Sequence, residues 1–254
     1  MNLAKPLFYK TIVPLDSKRH EALRISRPVR PLDYAVEANV IPALVDEFDL
    51  AMAEIPIAYL PGADCPSAVF VTGSAPGTNV YVNDDGLWNA SYVPAYLRRY
   101  PFIIGDVSES ESVLCIDESY EGFGEATGDR FFSDKGAQQD PLTNALTLAQ
   151  SYRDAAVRTE AFCAMLRDFD LLQPATLDTT APDGSKSVVH GLLIVNEEAL
   201  AALPADKLHK LHEAGFLKAL YSQIASLRAV SKLLPAVATK ARRGTRRPLD
   251  KKTD

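Results

Sequence analysis

The sequence predicts an α+β protein, with a mainly antiparallel sheet in the first half packed by helices of the second half. Three observations lead there. Short β-branched and aromatic runs punctuated by turn residues fill residues 57–117. Long 3–4 spaced apolar stripes fill residues 141–234. Neighbouring strands follow each other too closely for βαβ units.

Residues 1–35 hold Pro6, Pro14, Pro28 and Pro31 and are expected to be an extended Pro/Arg-rich lead-in lying on the body. From Ile41 to Ile55, Leu44, Val45, Phe48, Met52 and Ile55 recur at helical spacing between acidic residues, with Pro42 suited to a first turn. Pro56 ends that helix, and Ile57–Leu60 reads as a short strand. Ala68–Thr72 and Asn79–Val82 follow as strands, and Asn83-Asp-Asp-Gly86 turns the chain into Leu87-Trp-Asn89 as a hairpin. Phe102–Ile104 and Ser112–Asp117 form a further pair joined by an acidic loop. Residues 118–140, glycine-rich and charged, are expected to be a long surface loop.

A helix from about Pro141 to Phe169 buries Leu142, Leu146, Tyr152, Phe162 and Leu166, with room for a break midway. Ala181–Ser185 is a turn, and Val188–Val195 reads as the most buried strand. Asn196 before Glu197-Glu198 is a helix N-cap. Gly215 stops a helix over 205–214, and the last helix runs from Phe216 to Leu234. Three divisions result: the lead-in 1–35, a single α+β domain 36–235, and a basic disordered tail 236–254.

The 254 residues carry a net charge of −6, unevenly placed. Seven basic and two acidic residues lie between Lys240 and Asp254, leaving 20 basic and 31 acidic side chains, a net of −11, in residues 1–239. An acidic body argues against sequence-specific nucleic-acid binding, while the tail favours anions. No apolar run approaches the ~20 residues of a membrane span, and no secretory h-region is present, so a cytoplasmic protein is expected. Cys65, Cys115 and Cys163 are widely spaced without a CxxC pair, as small core residues would be.

The string Pro94-Ala-Tyr-Leu-Arg-Arg-Tyr-Pro-Phe102 resembles the bacterial SapC family, soluble proteins linked by name to surface layers (S-layers) and unrelated to the permeases sharing that name. Ile55-Pro-Ile57, Asn83–Trp88, Cys115–Asp117, and Gly215–Leu217 leading into Ser226-Leu227 extend the likeness over roughly residues 10–235. The resemblance brings no catalytic residues and no cofactor. Its members are often encoded near TonB-dependent receptors and flavin-type halogenases, which implies a role in uptake or in processing a surface ligand.

One cluster stands out as a candidate ligand site: Arg98 and Arg99 among Trp88, Tyr92, Tyr96, Tyr100 and Phe102. Guanidinium forks bind carboxylate or phosphate, and the rings suit an aromatic or anionic ligand. The structural alternative sends the rings to the core and pairs the arginines with Asp117 or Asp46. His209 and His212 share a helix face at i, i+3 but lack a third ligand, so no metal is expected. His190 reads as a buried strand residue, and His20 sits in the lead-in. Asp84-Asp85 is accounted for by turn chemistry, and Asp117-Glu118 is a second acidic pair. Neither GxGxxG, a Walker loop nor GxSxG occurs, so the common nucleotide cradles and the hydrolase elbow are absent.

The expected function is a SapC-like accessory or binding protein of cell-surface or uptake systems, with a small anionic ligand or a protein as partner. An enzyme acting on an amino-acid or peptide derivative is the rival. It requires a deep pocket joining Arg98 or Arg99 to a carboxylate and His190 or His20. A surface-layer component is a third reading.

Overall fold

A computed structural model describes residues 6–106, 112–180, 184 and 186–234. The basic tail, most of the acidic loop after Asp106 and most of the 181–185 turn lie outside the described residues. In chain order the elements begin with β1 (Ile12–Pro14), β2 (Arg24–Ile25), β3 (Val40–Pro42), α1 (Phe48–Ala51), β4 (Ile57–Leu60) and β5 (Ser67–Val71). They continue with α2 (Ala95–Arg99), β6 (Phe102–Asp106), β7 (Ser112–Asp117), β8 (Phe123–Gly124), β9 (Asp129–Arg130) and α3 (Asp140–Asp168). β10 (Leu172–Thr180), β11 (Lys186–Val195), α4 (Glu197–Ala201), α5 (Ala205–Glu213) and α6 (Leu217–Ser226) complete them, with a 3-10 turn over Leu227–Leu233. The class is α+β, and every strand pairing among the described residues is antiparallel.

Among the described residues the strands form three sheets, ordered β10-β11-β4-β5-β3, β1-β7-β6 and β8-β2-β9. The largest carries the main core. Ile57, Tyr59, Phe70 and Val71 are fully buried in it, and Phe162, Leu166, Leu211 and Leu220 come from the helices that cover it. Ser226 Oγ accepts the Ile57 N–H, and Gln223 bridges the Ile57 carbonyl and the Val195 N–H. The buried polar groups at this helix–sheet junction therefore answer each other.

α3 is the spine that joins the β1-β7-β6 sheet to the five-stranded one. Twenty-nine residues at 1.5 Å each make it about 43 Å long. Leu142 and Ala145 pack with Phe102, Ile116 and Phe131 under the β1-β7-β6 sheet. Tyr152 and Ala155 meet Ala35, Ile41, Tyr96 and Leu97 in the middle, and Phe162 and Leu166 enter the main core. The helix runs without the midway break that its sequence leaves room for, and Pro141 occupies its first turn.

Several elements differ from expectation. The Ile41–Ile55 helix contracts to a 3-10 turn over Val45–Glu47 and one α-turn. Ile41 precedes a proline, which disfavours helical backbone, and it joins β3 instead. The Asn79–Asn89 hairpin reduces to a single Val82–Trp88 bridge, although Gly86 takes the left-handed conformation (φ +69°) that its turn requires. Residues 118–140 are more than a surface loop, since Phe131 and Phe132 are buried. β10 has no counterpart in the sequence pattern, because Pro174 and the register shift between Ala175 and Leu177 break it. The last helix stops at Ser226 and continues as the 3-10 turn.

The stretch read as a lead-in pairs through β1 with β7 and through β2 with β8 and β9. Asp117 fixes its start. The carboxylate accepts the Lys10 N–H at 2.6 Å and the Thr11 N–H at 2.9 Å, together with the Ser119 hydroxyl at 2.7 Å. Burial pushes this carboxyl up, but the backbone and Ser119 donors outweigh burial and hold it below the usual range. The N-cap at Asn196 accepts from the Glu198 and Ala199 N–H groups, and Gly215 follows α5 with φ +73°.

Candidate binding grooves around α2

α2 is a five-residue helix entered at Pro94 and left through Tyr100 in extended backbone. Adjacent residues of a helix point about 100° apart, so Arg98 and Arg99 cannot serve one ligand side by side. The structure separates the five candidate residues into three places. Trp88 and Arg98 line a groove, Tyr96 and Arg99 are buried beneath α2, and Tyr100 borders a second cleft.

The groove encloses about 400 Å³ between Leu32, Leu87, Trp88, Val93 and Leu97, with Arg27 and Arg98 on its lining. Trp88 stacks on Tyr81 at 5.3 Å and donates its indole N–H to the Tyr92 carbonyl at 2.7 Å, which fixes the ring. Arg98 is exposed. It donates from Nε to the Val93 carbonyl at 3.0 Å and from Nη2 to the Tyr92 hydroxyl at 3.0 Å. Tyr92 in turn donates to Glu47 at 2.7 Å, and Glu47 accepts the Ala95 and Leu44 N–H groups. Burial raises the Glu47 pKa, against the pull of these donors and of Arg98. Glu47 thus holds both α2 and the tyrosine that orients Arg98. Among the described residues neither Arg27 nor Arg98 forms an ion pair with a carboxylate. Asp46 pairs with Arg158 and Asp117 takes the lead-in, so the pairing of Arg98 or Arg99 with these acids does not occur.

Arg99 is only 9% exposed, and it too has no carboxylate partner among the described residues. Its Cζ lies 3.9 Å from the Tyr152 ring centroid, 4.5 Å from Tyr96 and 5.8 Å from Tyr9, and its Nε has no hydrogen-bond partner. Ring faces attract a cation, each by roughly 0.5–2 kcal/mol. They do not replace the hydrogen bonds of a buried charge. Tyr9 and Phe8 roof the cluster; the Tyr96 hydroxyl donates to the Leu7 carbonyl, and Phe8 has a left-handed φ of +78°.

The histidines lie elsewhere. His20 is buried beside Asp16 and Glu118, its Nδ1 accepting the Asp16 N–H at 3.0 Å. His190 is exposed on β11, contrary to the buried position expected, because β11 turns alternate side chains to solvent. His209 and His212 are exposed on α5, and His209 pairs with Glu213. None of the four lines the groove. Among the described residues no group of three His, Cys, Asp or Glu could hold a metal, and no helix is long and apolar enough to cross a membrane. Asp84 and Asp85 sit in a turn organised by Asn83, whose side chain accepts the Asp85 and Leu87 N–H groups. Sequence reading missed Arg27. It comes to the groove from the lead-in, some seventy residues before Arg98, and no local pattern marks it.

A family model described as SapC matches residues 15–233, from just after β1 to the end of the last 3-10 turn. No curated protein and no solved structure matches the chain.

Proposed function

The chain belongs to the SapC family, and on that premise we propose that it is a cytoplasmic accessory binding protein of a bacterial cell-surface or uptake system. Its ligand is a small anion with an apolar body. The observation that carries this reading is the pair of guanidinium groups, Arg27 and Arg98, without carboxylate partners among the described residues, beside an apolar floor of Leu32, Trp88 and Leu97. A carboxylate or phosphate head would meet the arginines, and a flat or aliphatic body would lie on Trp88. The groove volume of about 400 Å³ is within the range of small-molecule sites. The Glu47–Tyr92 relay holds Arg98 in place without neutralising it by direct contact.

Thermal shift with indole-3-acetate and its neutral amide tests the reading. At ~100 times its dissociation constant a ligand stabilises the fold by ~2.7 kcal/mol. The acid should raise the melting point, the amide should not, and Arg98→Ala should remove the effect. Equal shifts by acid and amide, or an unchanged shift in the Arg27→Ala, Arg98→Ala double variant, would overturn it.

A further inference from the structure

The segment from Arg27 to Leu32 separates the groove from a second depression, and Pro31 borders both. This cleft encloses about 230 Å³, opens to solvent on one side, and is walled by the rings of Tyr34, Tyr100 and Tyr120. Tyr34 and Tyr100 lie 4.3 Å apart at a 42° tilt, and Tyr120 meets Tyr100 edge-on at 5.4 Å. The hydroxyls of Tyr34 and Tyr100 are turned away to the Leu97 carbonyl and to Asp117. Burial raises the pKa of all three phenols, so the wall stays uncharged.

The charged side chains that line the cleft are two of each sign. Lys10 and Arg30 stand against Asp33 and Glu121. Arg30 is bound to Asp33 and to the Asp84 carbonyl, whereas Glu121 makes no hydrogen bond or ion pair among the described residues. An anion would gain from one pair what it loses to the other, and a cation likewise. The cleft favours a ligand without net charge that offers a C–H face to the rings and hydroxyl groups to the charged side chains.

We propose that this cleft binds one uncharged saccharide unit, its ring against the tyrosine wall and a hydroxyl donating to Glu121. The volume lies below the ~300 Å³ at which pockets for larger small molecules begin, which limits the occupant to a single ring. The site shares no arginine with the anion groove, and neither reading depends on the other.

Saturation-transfer NMR on the full chain tests it, with methyl glucopyranoside, methyl galactopyranoside and N-acetylglucosamine as probes and glucuronate as a charged comparator. At least one uncharged sugar should receive saturation. Tyr120→Ala should abolish the signal, and Arg98→Ala should leave it intact. Glu121→Gln should weaken affinity about tenfold, the strength of one charge-assisted hydrogen bond. Glu121 is exposed, so that variant still decides the matter if Tyr120→Ala fails to fold. Silence from all three sugars, full affinity in Glu121→Gln, or tighter binding of the charged comparator would overturn the proposal.

Discussion

The junction of α6 with the five-stranded sheet and the tyrosine–arginine face around α2 treat buried polar groups in opposite ways. In the first, Gln223 and Ser226 are buried, and each polar end meets a backbone group of Ile57 or Val195. In the second, Arg99 is buried with an unpartnered Nε, and its neighbour Arg98 stands at a groove without a carboxylate. Both regions are densely aromatic, so ring content does not distinguish them. The difference lies in who completes the hydrogen bonds. The Gln223–Ser226 junction completes its own, although the Tyr59 hydroxyl in the same core has no partner among the described residues, and the α2 face leaves the Nε of a buried charge unanswered.

The largest effect should come from the sheet. Phe162 is fully buried between Phe48, Tyr59 and Phe216, and Phe162→Ala should cost ~3–5 kcal/mol in urea unfolding. A second substitution sharpens the contrast. Gln223→Leu strands the Ile57 carbonyl and the Val195 N–H, at about 1–3 kcal/mol for each buried group. Arg99→Met also replaces a buried polar side chain by an apolar one, yet it strands no carboxylate. Lost ring contacts, roughly 0.5–2 kcal/mol each, are set against relief of a buried charge worth several kcal/mol. Urea unfolding of Arg99→Met should therefore show a loss of at most ~1 kcal/mol. A loss as large as that of Gln223→Leu would break the comparison.

The smallest effect concerns acid. Asp117 has a depressed pKa, so its contribution is present above the unfolded value of about 3.9 and fades as pH falls through the folded one. The stability gap between the native chain and Asp117→Asn should narrow on acidification. Glu47 has the opposite shift, because burial dominates there. The gap between the native chain and Glu47→Gln should narrow as pH rises instead. Melting curves across pH check both signs.

Legibility in the sequence followed the range of the interactions. α3, the Asn196 cap, the Gly215 stop and the β6–β7 pair rest on local periodicity and turn chemistry, and they were readable. β10 is hidden by Pro174 and a register shift, and the helical spacing over Ile41–Ile55 is overridden by the constraint that Pro42 places on Ile41. The candidate site was readable as a composition but not as a geometry. Arg98 and Arg99 are neighbours in sequence, yet helical rotation sends one to a groove and the other beneath Tyr96 and Tyr152. Arg27, Tyr34 and Glu121 reach the two depressions only through tertiary contacts, for which one sequence holds no signal.

The most direct test of the groove beside α2 is a calorimetric titration of indole-3-acetate into the full chain and into Arg98→Ala at the same ionic strength. The account predicts saturable binding by the native chain and an affinity at least about tenfold weaker in the variant, as loss of a charge-assisted contact requires. Equal affinities, or no binding by the native chain, would contradict it.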